Sequence, residues 1–187
     1  MKKIEIDTFL KFRFLSNPHF SPDGTKIAFT VSVPDRETNG YLSDLYLYDL
    51  GKKTVSRVTC AGDAKIWSWT AENTLIFTAA RTAALKKEKE NGTSFFYEIS
   101  PSGGEASCRA SVPASVTGIR LLPDRRYLLT IRHDNYKDTR KKSYEVFDEL
   151  PFWANGQGIV NKKRTRLAVY DLESGSCEIV TPDYENV

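Results

Sequence analysis

The chain has 187 residues, of which 40% are hydrophobic and 27% are charged, and its formal net charge is +3. These proportions are typical of a soluble globular protein, and so small a net charge gives no argument for a nucleic-acid partner. No apolar run is as long as a membrane span, and the basic start at 1–3 lacks the apolar stretch of a signal peptide. We therefore expect a cytoplasmic protein of one domain or a small pair, without a membrane or nucleic-acid partner.

The first predicted element is a short helix within residues 1–16, which form a lead-in to the rest of the chain. Asp7 and Thr8 can cap a helix that continues to Phe14. Because this segment is rich in apolar side chains, we expect it to pack across the ends of the sheets that follow.

A turn sequence, Phe-Ser-Pro-Asp-Gly at 20–24, is followed at once by the apolar residues of 25–29. Proline fixes φ, aspartate can accept a hydrogen bond from the backbone two residues on, and glycine adopts positive φ. The pattern predicts a β-hairpin. Weaker copies occur at 69–73 and 122–126, and each of them also precedes an apolar strand.

A second pattern recurs in the same three units as an aromatic-rich strand with a tyrosine followed by an acid, before a turn and one more short strand. The three strands are 45–50, 95–99 and 167–172. In this alignment Tyr97 of the second unit corresponds to Tyr48 of the first. Each unit therefore contains four short strands.

Four antiparallel strands that repeat at about 40–50 residues are typical of β-propeller blades. We predict an all-β fold: a partial β-propeller of about three four-stranded antiparallel blades, with the short N-terminal helix. The blades are 17–63, 64–113 and 114–187, in one propeller-type domain that we expect to be incomplete at its C-terminal side. A β-sandwich whose hairpins resemble one another by chance is the alternative.

Stacking of the sheets predicts which strands are buried. One sheet cannot cover both of its own faces, so neighbouring blades must cover them. The strands at 27–29, 75–77 and 128–129 are expected to lie between blades, covered on both sides. The third blade also holds an insertion at about 134–163 that the repeat does not explain, and long loops of this kind tend to be functional.

Three cysteines occur in or beside the last strand of their units, at Cys60, Cys108 and Cys177. They lack metal-ligand spacing and the chain has two histidines, so we expect no metal and no cofactor. We expect buried or half-buried thiols in a reducing compartment. The polar stretch at 86–92 is predicted to be a loop tip.

Several of these segments together resemble a known family. The lead-in helix, the sequence Ser-Asn-Pro-His-Phe-Ser-Pro-Asp-Gly at 16–24 and the strand Asp-Leu-Tyr-Leu-Tyr-Asp-Leu at 44–50 resemble the opening of the propeller in prolyl-oligopeptidase-family serine peptidases. Residues 144–158, followed by a basic run and 167–171, are similar to the acylaminoacyl-peptidase-like branch. The resemblance covers nearly the whole chain.

The resemblance implies that this chain is the N-terminal propeller fragment of a larger serine peptidase of the acylaminoacyl-peptidase or dipeptidyl-peptidase type. Members of the family join the propeller to a C-terminal α/β-hydrolase domain, whose serine lies in a Gly-x-Ser-x-Gly turn. No such turn occurs in this sequence, and no downstream aspartate–histidine pair makes His19 or His133 a general base. We therefore assign no catalytic residue.

In such a peptidase the propeller would exclude folded proteins and position peptides for the hydrolase, and the insertion would face the substrate. Phe152 and Trp153 would then supply apolar contacts, and Asp148 or Glu149 would meet the N-terminal ammonium group of a peptide. The simpler interpretation is that the aromatic side chains pack the loop on its own blade, and that the two acids are solvated.

Two other hypotheses stay open. The chain could be a stand-alone propeller-like module that binds a protein without catalysis, or a nucleic-acid-binding protein, which only the basic clusters at 120–142 and 162–166 favour. Besides a peptide substrate reached through the hydrolase, we expect a second copy as a partner. The apolar faces of the first and third blades would be open, which predicts self-association.

Overall fold

The computed structural model describes residues 5–134, 152–154, 158–160 and 163–182. In this part of the chain the strands form three four-stranded antiparallel sheets and one two-stranded hairpin. The predicted all-β fold with about three four-stranded blades is therefore confirmed. In each four-stranded sheet, the first strand along the chain lies at one edge and the last strand lies at the other edge.

The strands follow one another along the chain in the order of the three sheets. The first sheet consists of β1 (Phe14–Phe20), β2 (Lys26–Asp35), β3 (Gly40–Asp49) and β4 (Thr54–Arg57). The second sheet consists of β5 (Trp67–Trp69), β6 (Leu75–Thr78), β7 (Ser94–Ile99) and β8 (Ser107–Val112). The third sheet begins with β9 (Ser115–Leu121) and β10 (Tyr127–Asp134). The hairpin of β11 (Phe152–Ala154) and β12 (Gly158–Val160) follows, and the third sheet ends with β13 (Lys163–Tyr170) and β14 (Cys177–Ile179).

The N-terminal helix is shorter than the sequence predicts. It is a 3₁₀ helix, Ile6–Lys11, and its capping box is formed by Glu5 and Thr8. The prediction that it continues to Phe14 is wrong, because Phe14 pairs with Ser32 as the first residue of β1. The helix packs beside the end of β2, as its apolar composition predicts.

The polar stretch predicted to be a loop tip at 86–92 lies largely in an α-helix, α1 (Ala83–Glu90). Thr82 caps this helix, because its side-chain oxygen accepts a hydrogen bond from the N–H of Leu85 at 3.2 Å. The lysines and glutamates that looked like loop residues are good helix formers. Leu85 packs against the apolar core, which holds the helix on the second sheet.

The three cysteines are free and exposed: Cys60, Cys108 and Cys177. The prediction that they are buried or half-buried is wrong. They lie in or beside the last strands β4, β8 and β14, and each of these strands forms the outer edge of its sheet in the described part of the chain. Solvent therefore reaches the thiols.

The connections between the first two strands of each sheet share a hydrogen-bonded turn that ends in a residue with positive φ, although the first connection, counted between paired residues, is one residue longer than the other two. Gly24, Asn73 and Arg125 have positive φ angles of 68°, 59° and 69°, and each donates its N–H to the carbonyl three residues earlier. Asp23 Oδ1 accepts a hydrogen bond from the N–H of Thr25 at 3.0 Å, as the sequence predicts. The turn geometry therefore repeats even where the glycine is replaced.

The second pattern is shifted by two residues in the second sheet. After the turn, Ile27 pairs with Tyr48 in the first sheet, whereas Leu75 pairs with Ile99 in the second. Ile99 therefore occupies the position of Tyr48, and the predicted match with Tyr97 is wrong. A shift of two residues leaves side chains on the same face of a strand, so the hydrophobic pattern does not reveal it.

The second sheet is covered on both faces. Leu75 and Phe77 belong to the cluster shared with the first sheet, whereas Ile76 and Phe96 belong to the cluster shared with the third sheet. Phe77 and Phe96 are both 0% exposed. The alternation of strand side chains thus sends one set of residues into each interface.

The first and third sheets are covered on one face in the described part of the chain. Ala28 is buried against the second sheet, but Ile27 and Phe29 on the opposite face are half-exposed. Leu129 is buried, and its neighbour Leu128 is half-exposed. Burial on both sides, predicted for all three strands, is therefore correct for 75–77 and wrong for the other two.

Polar contacts fix the turns of the three sheets side by side. The N–H of Asp23 donates to Asn73 Oδ1 at 3.1 Å, and Glu72 forms an ion pair with Arg125. These turns therefore lie at one end of the stack, which we call the turn end. The opposite end, which we call the loop end, holds the 3₁₀ helix, the β2–β3 connection, α1 and the segment between β10 and β13.

The stacking of the sheets predicts very different costs for two similar substitutions. Phe77→Ala opens a cavity in a fully buried interface and should lower the free energy of unfolding by about 3–5 kcal/mol. Phe29→Ala removes a half-exposed ring from an open face and should cost about 1–2 kcal/mol. Urea denaturation at low protein concentration measures both values, and equal costs would contradict the stacked arrangement.

Candidate functional site

The residues predicted to contact substrate lie in the insertion of the third blade. Asp148 and Glu149 are outside the described residues. Phe152 and Trp153 lie in β11, where they pair with Val160 and Ile159 of β12. Their role in substrate contact stays a prediction. The hairpin belongs to the segment between β10 and β13.

A cleft of about 430 Å³ lies where the first strands of the three sheets come together. We call it the inner cleft, because the first strands of propeller blades surround the central channel. It is lined by residues of β1, β5, β9 and the turns that follow β1 and β9: His19, Phe20, Pro22, Trp67, Ser68, Trp69, Ile119, Arg120, Leu121, Leu122 and Pro123.

Two tryptophans hold one wall of the inner cleft in place. The indole N–H of Trp67 donates to Thr30 Oγ1 at 2.9 Å, and that of Trp69 donates to the carbonyl of His19 at 3.1 Å. Trp67 and Trp69 are both less than one-tenth exposed to solvent. The two buried indole rings therefore shape the wall, and the apolar surface open to a ligand is that of Phe20, which is 64% exposed.

His19 lies at the edge of the same wall. Its ring meets Trp67 edge to face, with ring centroids 5.6 Å apart. Desolvation of the ring lowers the pKa of His19 below its ordinary value, and the nearby positive charge of Arg120 lowers it further. The imidazole is therefore neutral at pH 7.

Arg120 supplies the lasting positive charge of the inner cleft. It lies in β9 and is exposed, and it forms no ion pair with any residue in the described ranges. None of the residues that line the cleft is an aspartate or a glutamate. The cleft is therefore apolar and electropositive, which suits an apolar group that carries or adjoins a negative charge.

The inner cleft can bind a ligand, but its lining residues do not form a nucleophile and base pair. Ser68 and His19 are its hydroxyl and imidazole groups, and no hydrogen bond joins them among the described contacts. The sequence alone predicts no binding role for His19 or Arg120. The signal that could have found them is their position on first strands, since those strands converge in a propeller.

A second exposed surface lies at the loop end of the first sheet, where four aromatic rings cluster. Phe9 contacts Phe12, Phe14 and Tyr41, with ring centroids 5.7–6.5 Å apart, and Phe14 also contacts Tyr41 at 5.9 Å. All four residues are at least 40% exposed. This aromatic cluster leaves apolar area in contact with solvent beside the 3₁₀ helix.

The fold is shared with peptidases of known structure. A Pyrococcus horikoshii acylaminoacyl peptidase matches with a TM-score of 0.69 and 18% identity, over 95% of this chain and 26% of that one. An acylaminoacyl peptidase in complex with Z-Gly-Gly-Phe-chloromethyl ketone matches with a TM-score of 0.67 and 18% identity, over 94% and 25%. The suspected resemblance to peptidase propellers is therefore confirmed for the fold.

Sequence comparison points the same way. An uncharacterized peptidase of Bacillus subtilis, YuxL, is 25% identical over 194 residues, which cover 97% of this chain and 28% of that protein. The chain thus spans a quarter or slightly more of the length of these three relatives. No family model matches the chain. In the part of the chain that the structure describes, no helix is long and apolar enough to cross a membrane.

The surroundings of His19 predict its titration. Its pKa should lie below 6.5, and Arg120→Met should raise it only partly, because desolvation is the larger cause and remains. Since the unfolded chain binds the proton more readily, His19 should make the free energy of unfolding decrease as the pH falls below 6.5. NMR titration of the ring proton measures the pKa, and a value at or above 6.5 would contradict the geometry.

Proposed function

We propose that this chain is the propeller part of an acylaminoacyl-peptidase-like serine peptidase, where it admits and positions peptides for a hydrolase domain that the chain does not contain. The observation that carries the proposal is the inner cleft, an apolar and electropositive groove on the first strands of a fold shared with acylaminoacyl peptidases. A domain that only positions peptides needs a surface that binds them and needs no catalytic groups.

The size of the substrate follows from how the cleft is built. Its walls are strands that hydrogen bonds and buried indole rings hold to their neighbours, so the groove cannot widen without breaking the interfaces between sheets. We infer that such a groove admits an extended peptide and excludes a folded protein. The restriction therefore comes from the rigid stack and needs no moving lid.

The loop end supports a role in contacts with substrate or hydrolase. The longest connections that the repeat does not explain begin at this end, and binding residues usually occur in such connections. The aromatic cluster supplies apolar area there, and the predicted contributions of Phe152, Trp153, Asp148 and Glu149 would come from the same end. The three unpaired cysteines favour a cytoplasmic location, where thiols stay reduced.

Peptide assays test this function. The purified chain should bind N-acetylated tripeptides in isothermal titration calorimetry and should not cleave acyl-peptide or dipeptidyl ester substrates, because it has no serine nucleophile elbow. Hydrolysis that a serine-directed phosphonate abolishes would contradict the assignment of catalysis to another domain.

The complete protein that contains this chain provides the second half of the test. It should cleave N-acylated peptides of a few residues, and it should leave the same sequence intact when that sequence lies in a surface loop of a folded protein. Equal rates on the peptide and on the folded protein would exclude a gating role.

We also propose that a second copy covers the open faces of the first and third sheets in the isolated chain. Phe29 and Tyr46 stack with ring centroids 6.0 Å apart on the open face of the first sheet, and Val55 beside them is 59% exposed. On the third sheet, Leu128 and Val169 are half-exposed. Sheets of this repeat pack face to face within the chain, so the same surfaces can pack between chains.

Sedimentation velocity tests this association. The chain should form a dimer whose population grows with concentration, and Phe29→Lys should shift the equilibrium to monomer, because it places a charge in the apolar contact. Leu50→Lys is the matched control, since Leu50 is 38% exposed but lies in a turn beyond the strands. A stable monomer at high concentration would contradict the proposal.

A further inference from the structure

The inner cleft combines two chemical features that together describe a ligand. Phe20 is 64% exposed and lines the cleft beside the buried Trp67 and Trp69, so this wall can bind an apolar group. Arg120 offers five N–H donors, and no described residue neutralises its charge. A ligand that fits both features has an apolar or aromatic side chain next to an anionic group.

His19 places a neutral hydrogen-bonding ring in the same cleft as Arg120. Its ring touches Trp67 and lies within electrostatic reach of Arg120, and the two side chains line the cleft from the first strands of the first and third sheets. With no acid among the lining residues, nothing in the cleft repels a carboxylate. A guanidinium group binds a carboxylate through paired hydrogen bonds, which gives direction as well as attraction.

We propose that the inner cleft recognises a peptide carboxylate beside an apolar residue, with Arg120 as the residue that binds the carboxylate and the wall around the exposed Phe20 as the surface that binds the side chain. This inference rests on the proposed function and deepens it, since it names the class of peptide. It makes Arg120 a specificity-determining residue, with His19 as a neutral hydrogen-bond partner at pH 7.

Three peptides separate the possible sources of the carboxylate. Isothermal titration calorimetry with the full chain compares Ac-Ala-Ala-Phe with a free C-terminus, its C-terminal amide, and Ac-Asp-Ala-Phe amide. Because a charge-assisted hydrogen bond to a partly exposed group is at the low end of its range, the preferred carboxylate peptide should bind about tenfold more tightly than the plain amide. The first peptide should bind most tightly if the cleft recognises a C-terminal carboxylate. The third should bind most tightly if it recognises an acidic side chain.

Substitution of Arg120 locates the effect. Arg120→Met should abolish the preference for the carboxylate while leaving the amide peptide bound, and Arg120→Lys should keep part of it. Arg132→Met is the matched control, because Arg132 is an exposed arginine of the adjacent strand β10 that does not line the cleft. Circular dichroism and thermal unfolding verify that each variant is folded, and the shift of the His19 ring proton reports binding at the cleft.

The outcomes distinguish this inference from the function on which it rests. If all three peptides bind equally and shift the His19 signal, the cleft binds peptides but the proposed recognition of a carboxylate is wrong. If none of the three peptides binds, the proposed peptide-positioning function is wrong as well. If the preference for the carboxylate peptide remains in Arg120→Met or is lost in Arg132→Met, Arg120 is not the residue that binds the carboxylate.

Discussion

The burial of both faces of the second sheet is the constraint on which the rest of the structure depends. Its strands place alternate side chains into two interfaces, with Phe77 in one and Phe96 in the other, and both side chains are completely buried. Neither interface exists without the neighbouring sheet, so the sheets cannot be stable one at a time. The hydrophobic effect therefore acts between repeats more than within them.

The inner cleft forms because the sheets stack in this way. When sheets pack face to face around an axis, their first strands converge at the inner edge, and residues far apart in the chain, such as His19 and Arg120, come within electrostatic reach. The tryptophans that line the cleft are also the residues whose indole N–H groups tie β5 to the first sheet. The side chains that hold the first two sheets together thus also shape the wall of the cleft.

The sequence predicts the repeat well because turn chemistry is local. The Pro-Asp-Gly turn and its two weaker copies define three sheets of four strands, even though Asn73 and Arg125 replace the glycine. The alignment of Tyr97 fails because strand periodicity does not distinguish a shift of two residues. Burial of 27–29 and 128–129 depends on which neighbours are present, and local patterns carry no such information.

The candidate site was harder to predict for the same reason. His19 and Arg120 belong to different repeats, and only the convergence of first strands brings them together. The sequence predicts a loop tip where α1 lies because most of the residues there are polar, and the contact of Leu85 with the core is a tertiary feature. The insertion stands out by length alone, so its boundaries are visible in the sequence and its contacts are not.

The division of the stack into a turn end and a loop end separates two kinds of evolutionary freedom. At one end, cross-links such as the Asp23–Asn73 hydrogen bond join neighbouring repeats, so a length change there would alter the contact between two sheets. At the other end, a helix and a long segment have been accommodated without altering the registers of the strands that flank them. Descendants of this scaffold can therefore acquire new recognition elements by lengthening connections on that side while inheriting the groove unchanged.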